Sequence, residues 1–155
     1  KVHLEGALCR CGQRGCLEAY VADYALVREA NSVGAVNLNT PTSQAVKTIL
    51  SAARSGDTTA QRVVERAGRM FAMGLANLVN IFDPELVILA GEQIEFDHLY
   101  ADVVIEEMCK SIVEIDKPAP EVVVHKWDNL MWARGAAAYA LEFVYNMAVE
   151  ALDDA

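Results

Sequence analysis

The sequence has few basic residues and no cluster of them. Its 155 residues include 13 Lys and Arg against 22 Asp and Glu, which gives a formal net charge of −9. Because contacts with nucleic-acid phosphates require concentrated basic side chains, we do not expect this chain to bind DNA by itself.

A long apolar run is also missing. The longest mostly apolar stretch, Met70–Phe82, is shorter than a membrane span and contains Asn77 and Asn80. There is no signal-peptide pattern, no internal repeat and no linker. Hydrophobic residues make up 54% of the chain, enough for one substantial core. We therefore expect one soluble, acidic, cytoplasmic domain without a membrane contact.

Three of the four cysteines fall within one short segment, at Cys9, Cys11 and Cys16. A disulfide framework is one interpretation, but it is typical of short secreted chains, and a bridge between Cys9 and Cys11 would be strained. Gly12 and Gly15 allow positive φ, so the segment can fold back on itself and gather its thiols. This pattern favours zinc binding.

Three cysteines leave a structural zinc site one ligand short. His3 is the nearest imidazole and is a candidate for the fourth ligand, the alternative being a solvated residue at the chain end. Cys109 stands apart on an apolar helical stripe and is predicted to be a free, buried thiol.

Apolar periodicity predicts a chain dominated by helices. The helices are expected at about 17–31, 42–53, 58–82, 98–113 and 130–152, and strands at 86–90 and 122–124. Two strands separated by a helix imply a parallel βαβ unit, and the continuous apolar run Leu86–Ala90 predicts a strand buried on both faces. Two strands make a thin sheet, so either segment 33–38 pairs as well or strands preceding residue 1 complete it.

The segment from Cys9 to Glu18, Cys-Arg-Cys-Gly-Gln-Arg-Gly-Cys-Leu-Glu, resembles the CxCGxxGCxE signature of the ROK family of repressors and sugar kinases. Blocks at 74–80, 83–91 and 134–137 are similar to later parts of that family, in the same order. The resemblance implies an α/β fold, namely the helix-rich C-terminal half of an actin-like ATPase (ribonuclease H-like) fold with a short parallel βαβ unit.

The same resemblance divides the chain into a zinc loop at 1–17 and helices with the βαβ unit at 18–155. It also implies that the N-terminal domain and any DNA-binding domain lie outside this chain. The family's zinc-ligating histidine would precede residue 1, so His3 is a substitute rather than the match.

For the sites, the resemblance implies that Cys9, Cys11 and Cys16 hold a structural zinc ion. Glu18 matches a glutamate that contacts sugar in the family; the alternative is an acidic residue that only stabilises the first turn of a helix.

On the nucleotide side, the resemblance points to Gly91, Glu92, Gly135 and Ala136. Family kinases tend to have three glycines after this strand, whereas here Ala90 and Gly91 are followed by Glu92, which resembles repressors that have lost ATP binding. A carboxylate there would repel phosphates unless it points to solvent. No catalytic residue and no phosphate loop of the family is matched, so the isolated chain is not expected to phosphorylate a sugar.

The resemblance therefore favours the zinc-containing, sugar-sensing domain of a transcriptional regulator. Its effector would be a sugar or a sugar phosphate, and DNA would be bound only through a domain outside this chain. Two alternatives are the C-terminal half of an ATP-dependent, glucokinase-like sugar kinase and a purely structural dimerisation half. We expect a homo-oligomer in each case.

Overall fold

The computed structural model describes residues 1–36, 39–91, 98–99, 101–113, 118–126 and 130–153. Within these residues the elements, in chain order, are α1 (Glu18–Val21), α2 (Asp23–Ser32), α3 (Thr42–Arg54), α4 (Thr58–Phe82), β1 (Leu86–Gly91), α5 (Asp102–Cys109), β2 (Glu121–Lys126) and α6 (Met131–Asp153). The helix-rich composition with two strands agrees with the sequence prediction.

The main hydrophobic core lies between α2, α3 and α4. On α3 the residues Val46, Ile49 and Leu50 are buried, as the three- and four-residue spacing predicts. They pack against Leu26 of α2 and Val63 of α4. This core fixes α2 on α4 and thereby supports the segment that precedes α2.

Helix α4 is the longest of the described helices, and the residues at its two ends determine where it begins and stops. The carboxylate of Asp57 accepts a hydrogen bond from the backbone N–H of Ala60 at 2.8 Å, which caps the first turn. At the other end Asp83 adopts a left-handed conformation (φ 45°) before Pro84. Both ends agree with the predicted helix 58–82.

Gly74 of α4 allows the start of α1 to lie close to the long helix. A Cβ at this position would be 2.7 Å from Cδ2 of Leu17. The residue just before α1 is therefore seated directly on α4.

The two strands form a parallel pair, as predicted. Their register runs from Leu86 opposite Glu121 to Gly91 opposite Lys126. Helix α5 lies between them in sequence and buries Met108 with Leu89 of β1 in a second core cluster. The chain thus contains the expected parallel βαβ unit.

The prediction that β1 is buried on both faces is wrong for this structure. Leu89 is buried, but Leu86 and Ile88 are 47% and 63% exposed. The side chains of a strand alternate between the two faces, and among the described residues the α4–α5 layer covers only one of them.

Three other predicted boundaries differ from the structure. The helix predicted at 17–31 breaks at Ala22, whose backbone is extended (ψ 152°). The helix predicted at 98–113 is confined to Asp102–Cys109, and His98 and Leu99 lie in a turn. Residues 33–36 form turns rather than a strand, and residues 37 and 38 lie outside the described part of the chain.

The break at Ala22 has a tertiary cause, because no glycine or proline lies nearby in the sequence. It allows Tyr20 to face the cysteine segment while Leu26 enters the core. The end of α5 has a similar origin. The side chain of Asn80 donates to the Ser111 carbonyl at 3.0 Å and accepts from the Val113 N–H at 2.9 Å, so it holds the chain in a non-helical course.

Helix α6 exposes most of its described apolar side chains. Exposed residues include Trp132, Tyr139, Leu141, Phe143 and Tyr145. A span of the bilayer would require a longer uninterrupted apolar helix, and none occurs in the described ranges.

Candidate functional site

The cysteine loop, residues 7–16, is a tight antiparallel turn. Leu8 pairs with Arg14 across it, and the backbone N–H of Cys9 donates to the carbonyl of Gln13 at 2.8 Å. These backbone bonds fix the loop without using the thiols, so the three cysteine side chains remain available as ligands.

Two glycines give the loop its shape. Gly12 and Gly15 have φ values of +83° and +72°, as the sequence predicts. Gly15 is also packed against the N-terminal segment, since its carbonyl accepts hydrogen bonds from the N–H groups of Val2 (2.8 Å) and His3 (3.3 Å). A Cβ on Gly15 would fall on the carbonyl oxygen of His3.

The three thiols converge at one point. The Sγ atoms of Cys9, Cys11 and Cys16 all lie within 4.8 Å of one another, and those of Cys11 and Cys16 are 3.6 Å apart. Cys9 is buried, Cys16 is half-buried and Cys11 is exposed. This arrangement can hold a metal ion with one side open to solvent. All four cysteines are free thiols, and Cys109 is partly rather than fully buried.

The cysteine group as described does not include His3. This residue is exposed, and it reaches the loop through its backbone N–H, which donates to Gly15. The proposal that its imidazole supplies the fourth ligand stays a prediction.

The two outer thiols differ in acidity. A hydrogen bond from the backbone N–H of Gln13, followed by the interactions with the Cys9 and Cys16 side chains, lowers the pKa of Cys11. The hydrogen bond between Cys16 and Cys11, together with burial, raises the pKa of Cys16 to about 11. A bound cation would replace the thiol protons, as is usual for thiolate sites.

Glu18 lies beside the thiol group at the start of α1. Its Oε2 accepts a hydrogen bond from the thiol of Cys9 at 3.5 Å, although the residue as a whole is exposed. The carboxylate is thus adjacent to the metal-competent cluster while part of it faces solvent.

Two tyrosines support the loop in a way that apolar periodicity alone does not reveal. The hydroxyl of Tyr20 accepts from the N–H of Ala7 at 2.9 Å. The hydroxyl of Tyr24 donates to Sγ of Cys9 at 3.9 Å, and burial together with Cys9 raises its pKa, so that it keeps its proton. Two tyrosines four residues apart on the helical segment after a cysteine loop are the signal that would have found them.

The predicted nucleotide-side residues are not assembled into a cleft in the described part of the chain. Gly91 ends β1, and Glu92 lies outside the described residues. Gly135 and Ala136 are exposed on α6, where a Cβ on Gly135 would meet no atom within 4 Å. Their roles stay predictions.

Comparison with known proteins agrees with the cysteine signature. The sequence model of the ROK family matches residues 1–142. The chain belongs to the ROK family.

Both regulators and kinases occur among its ROK relatives. The chain is 35% identical over 98 residues to the DNA-binding transcriptional dual regulator NagC of Escherichia coli K12, covering 59% of this chain and 23% of that protein. It is 34% identical over 86 residues to the N-acetylmannosamine kinase of Yersinia pestis (strain Pestoides F), covering 56% of this chain and 27% of that protein.

The fold is that of the solved ROK proteins, an actin-like ATPase fold. A ROK family glucokinase from Streptomyces griseus, in complex with glucose and AMPPNP, superposes with a TM-score of 0.62 at 29% identity. The match covers 80% of this chain and 44% of the glucokinase. This ROK chain therefore spans less than half the length of the relatives named here.

Proposed function

We propose that this chain is the zinc-containing, sugar-binding part of a ROK-type transcriptional regulator. The observation that carries the proposal is the 3.5 Å hydrogen bond from Cys9 to Glu18, because it joins a three-thiol metal group to a partly exposed carboxylate. The metal-binding thiols and the sugar-binding carboxylate would then form one site.

The donor set fits zinc. Thiolates are soft ligands that favour Zn²⁺, and the spacing of the three Sγ atoms suits one shared ion. The ion would be structural, and it would fix the loop that leads into α1. Cys9, Cys11 and Cys16 would hold it, with a fourth ligand from His3 or from outside this chain.

Glu18 is suited to a polyol. A carboxylate can accept hydrogen bonds from two neighbouring sugar hydroxyls, and such charge-assisted bonds are among the stronger ones. A metal-bound Cys9 carries no proton, so Oε2 of Glu18 would lose its present donor and would be available to a hydroxyl. The names of the relatives point to hexoses and N-acetylhexosamines as the class of sugar.

The residues that follow β1 favour the regulator over the kinase. Glu92 follows Gly91 at a position where family kinases tend to have glycine, whose backbone can approach a nucleotide closely. A carboxylate at this position would repel the phosphates of a nucleotide. With a net charge of −9 this chain is not expected to contact DNA, so the proposed regulator would bind DNA through residues outside it. The kinase remains the second candidate, because N-acetylmannosamine kinase and glucokinase are among the matches.

The sugar role is tested with Glu18→Gln in the full-length protein. We expect calorimetric affinity for N-acetylglucosamine, N-acetylmannosamine or glucose to fall by about 10-fold or more, since a hydrogen bond to a charged group contributes about 1.5–3 kcal/mol. Asp23→Asn is the matched control, because Asp23 begins α2 as Glu18 begins α1. Unchanged affinity in Glu18→Gln would reduce Glu18 to a helix-start residue.

The metal and the choice between regulator and kinase are tested separately. Zinc content should be about one per chain and should fall in Cys11→Ser; the same content in that variant would remove the site. ATP turnover by the full-length protein with any of these sugars would contradict the regulator and favour the kinase. Sugar-dependent binding to an operator fragment, without turnover, is the result expected.

A further inference from the structure

The guanidinium of Arg28 on α2 bridges the two segments that frame the candidate site. Its Nη1 donates to the carbonyl of Leu8 at 3.0 Å, and its Nη2 donates to the carbonyl of Ala19 at 2.7 Å. Leu8 immediately precedes Cys9, and Ala19 immediately follows Glu18. One side chain therefore holds the backbone next to the first thiol and the backbone next to the carboxylate.

The carbonyl of Ala19 depends on a donor from outside its own helix. Helix α1 has only four residues, so its last carbonyls have few partners within the helix. The carbonyl of Ala19 is one of them, and the Ala19 residue is 1% exposed. A cation at the C-terminal end of a helix is also favourable for the helix dipole. Arg28 meets this need and reaches the cysteine loop at the same time.

Tyr24 reinforces the bridge. The centroid of its ring lies 3.9 Å from the guanidinium carbon of Arg10 and 5.8 Å from that of Arg28. Its hydroxyl donates to Sγ of Cys9. The same tyrosine thus lies beside the Arg28 guanidinium and contacts a predicted metal ligand.

We propose that Arg28 is a positioning residue that couples the state of the cysteine loop to the orientation of Glu18. The inference rests on the proposed function. A metal bound to Cys9 would restrain the neighbouring carbonyl of Leu8. The two-pronged contact of Arg28 would pass this restraint to the carbonyl of Ala19, so that α1 presents Glu18 in one orientation. A lysine cannot do this, because it offers a single point charge instead of a planar fork.

The test compares Arg28→Lys and Arg28→Gln with wild type in the full-length protein. Sugar affinity is measured by calorimetry with N-acetylglucosamine, N-acetylmannosamine and glucose, on zinc-loaded and on chelator-treated protein. The readout is the ratio of the two affinities, which a loss of stability alone would not change. Zinc affinity is measured independently by competition with a chromogenic chelator.

We expect zinc to raise sugar affinity at least about 5-fold in wild type, which is the low end of ordinary coupling between sites. In both Arg28 variants that ratio should fall towards one, and zinc affinity should fall by about 10-fold, as for the loss of other supporting contacts around a metal. Arg66→Lys is the matched control. Arg66 pairs with Glu29 at 2.7 Å and lies 5.4 Å from the ring centroid of Tyr20.

Each other outcome overturns the proposal. Full coupling in Arg28→Lys would show that charge alone is enough and that the fork has no role. An equal loss of coupling in Arg66→Lys would show a general effect of loosened helices. Absence of sugar binding by wild type would refute the proposed function itself, and this result is distinct from binding with unchanged coupling, which refutes only the role of Arg28.

Discussion

A methyl group on Gly15 should damage the cysteine loop more than the same group on Gly12. Both glycines have positive φ, and both substitutions to alanine force a residue with a Cβ into that conformation, at a cost of about 1–2 kcal/mol. The surroundings differ. No atom lies within 4 Å of a Cβ on Gly12, whereas a Cβ on Gly15 would occupy the place of the His3 carbonyl.

The difference in stability of the loop between the two variants comes from the hydrogen bonds that only Gly15→Ala breaks. To make room, the N-terminal segment must move away, and the bonds from the N–H groups of Val2 and His3 to the Gly15 carbonyl are lost. At a net contribution of about 1 kcal/mol each, their loss adds about 2 kcal/mol to the cost in Gly15→Ala. If the intact loop is the state that binds zinc, this corresponds to about 30-fold weaker binding than in Gly12→Ala.

The assay is competition for zinc between each full-length variant and a chromogenic chelator, with thermal unfolding measured on the same samples. The expected order of affinity is wild type, then Gly12→Ala, then Gly15→Ala. Affinities of the two variants within about 3-fold of each other would refute the reasoning, because the N-terminal segment would then have no part in supporting the loop.

Three further substitutions test the fold by urea unfolding. Asn80→Ala removes two hydrogen bonds to the segment after α5 and should lower the free energy of unfolding by about 1–2 kcal/mol. The control Asn77→Ala, on the same helix, should change the free energy of unfolding by less than about 0.5 kcal/mol. Equal effects of the two substitutions would contradict the bridging role of Asn80. Asp57→Ala removes the cap on Ala60 and should cost about 1 kcal/mol, and an unchanged stability would show that this cap is dispensable. Met108→Ala should cost about 2–5 kcal/mol because the side chain is fully buried, and a smaller loss would mean that the second core cluster collapses around the gap.

Features encoded within a few residues were predictable. Helix α4 begins after a capping aspartate and ends at a residue before proline, so its bounds at Thr58 and Phe82 follow from local sequence. The meeting of the three thiols was equally predictable, because the cysteines lie on one turn and Gly12 and Gly15 supply the conformations that it requires.

Features that depend on distant residues were not predictable from a local pattern. The break at Ala22 has no sequence marker, and it arises because Tyr20 and Leu26 are held by different parts of the fold. The continuous apolar run of β1 suggested burial on both faces, but apolar character cannot show which face a neighbouring layer covers. Nothing in the sequence around Asn80 indicates that this residue of α4 binds the segment that follows α5.

The sequence by itself determined the order of helices and strands and the cysteine cluster, because periodicity and ligand spacing act over a few residues. The resemblance of its motifs indicated the family, which the match over residues 1–142 shows. The tertiary structure decided how the cluster is connected to Glu18. Arg28 reaches Leu8 across 20 residues and Ala19 across nine, so the contacts exist only when α2 has packed on α3 and α4 and has placed the guanidinium between the two segments.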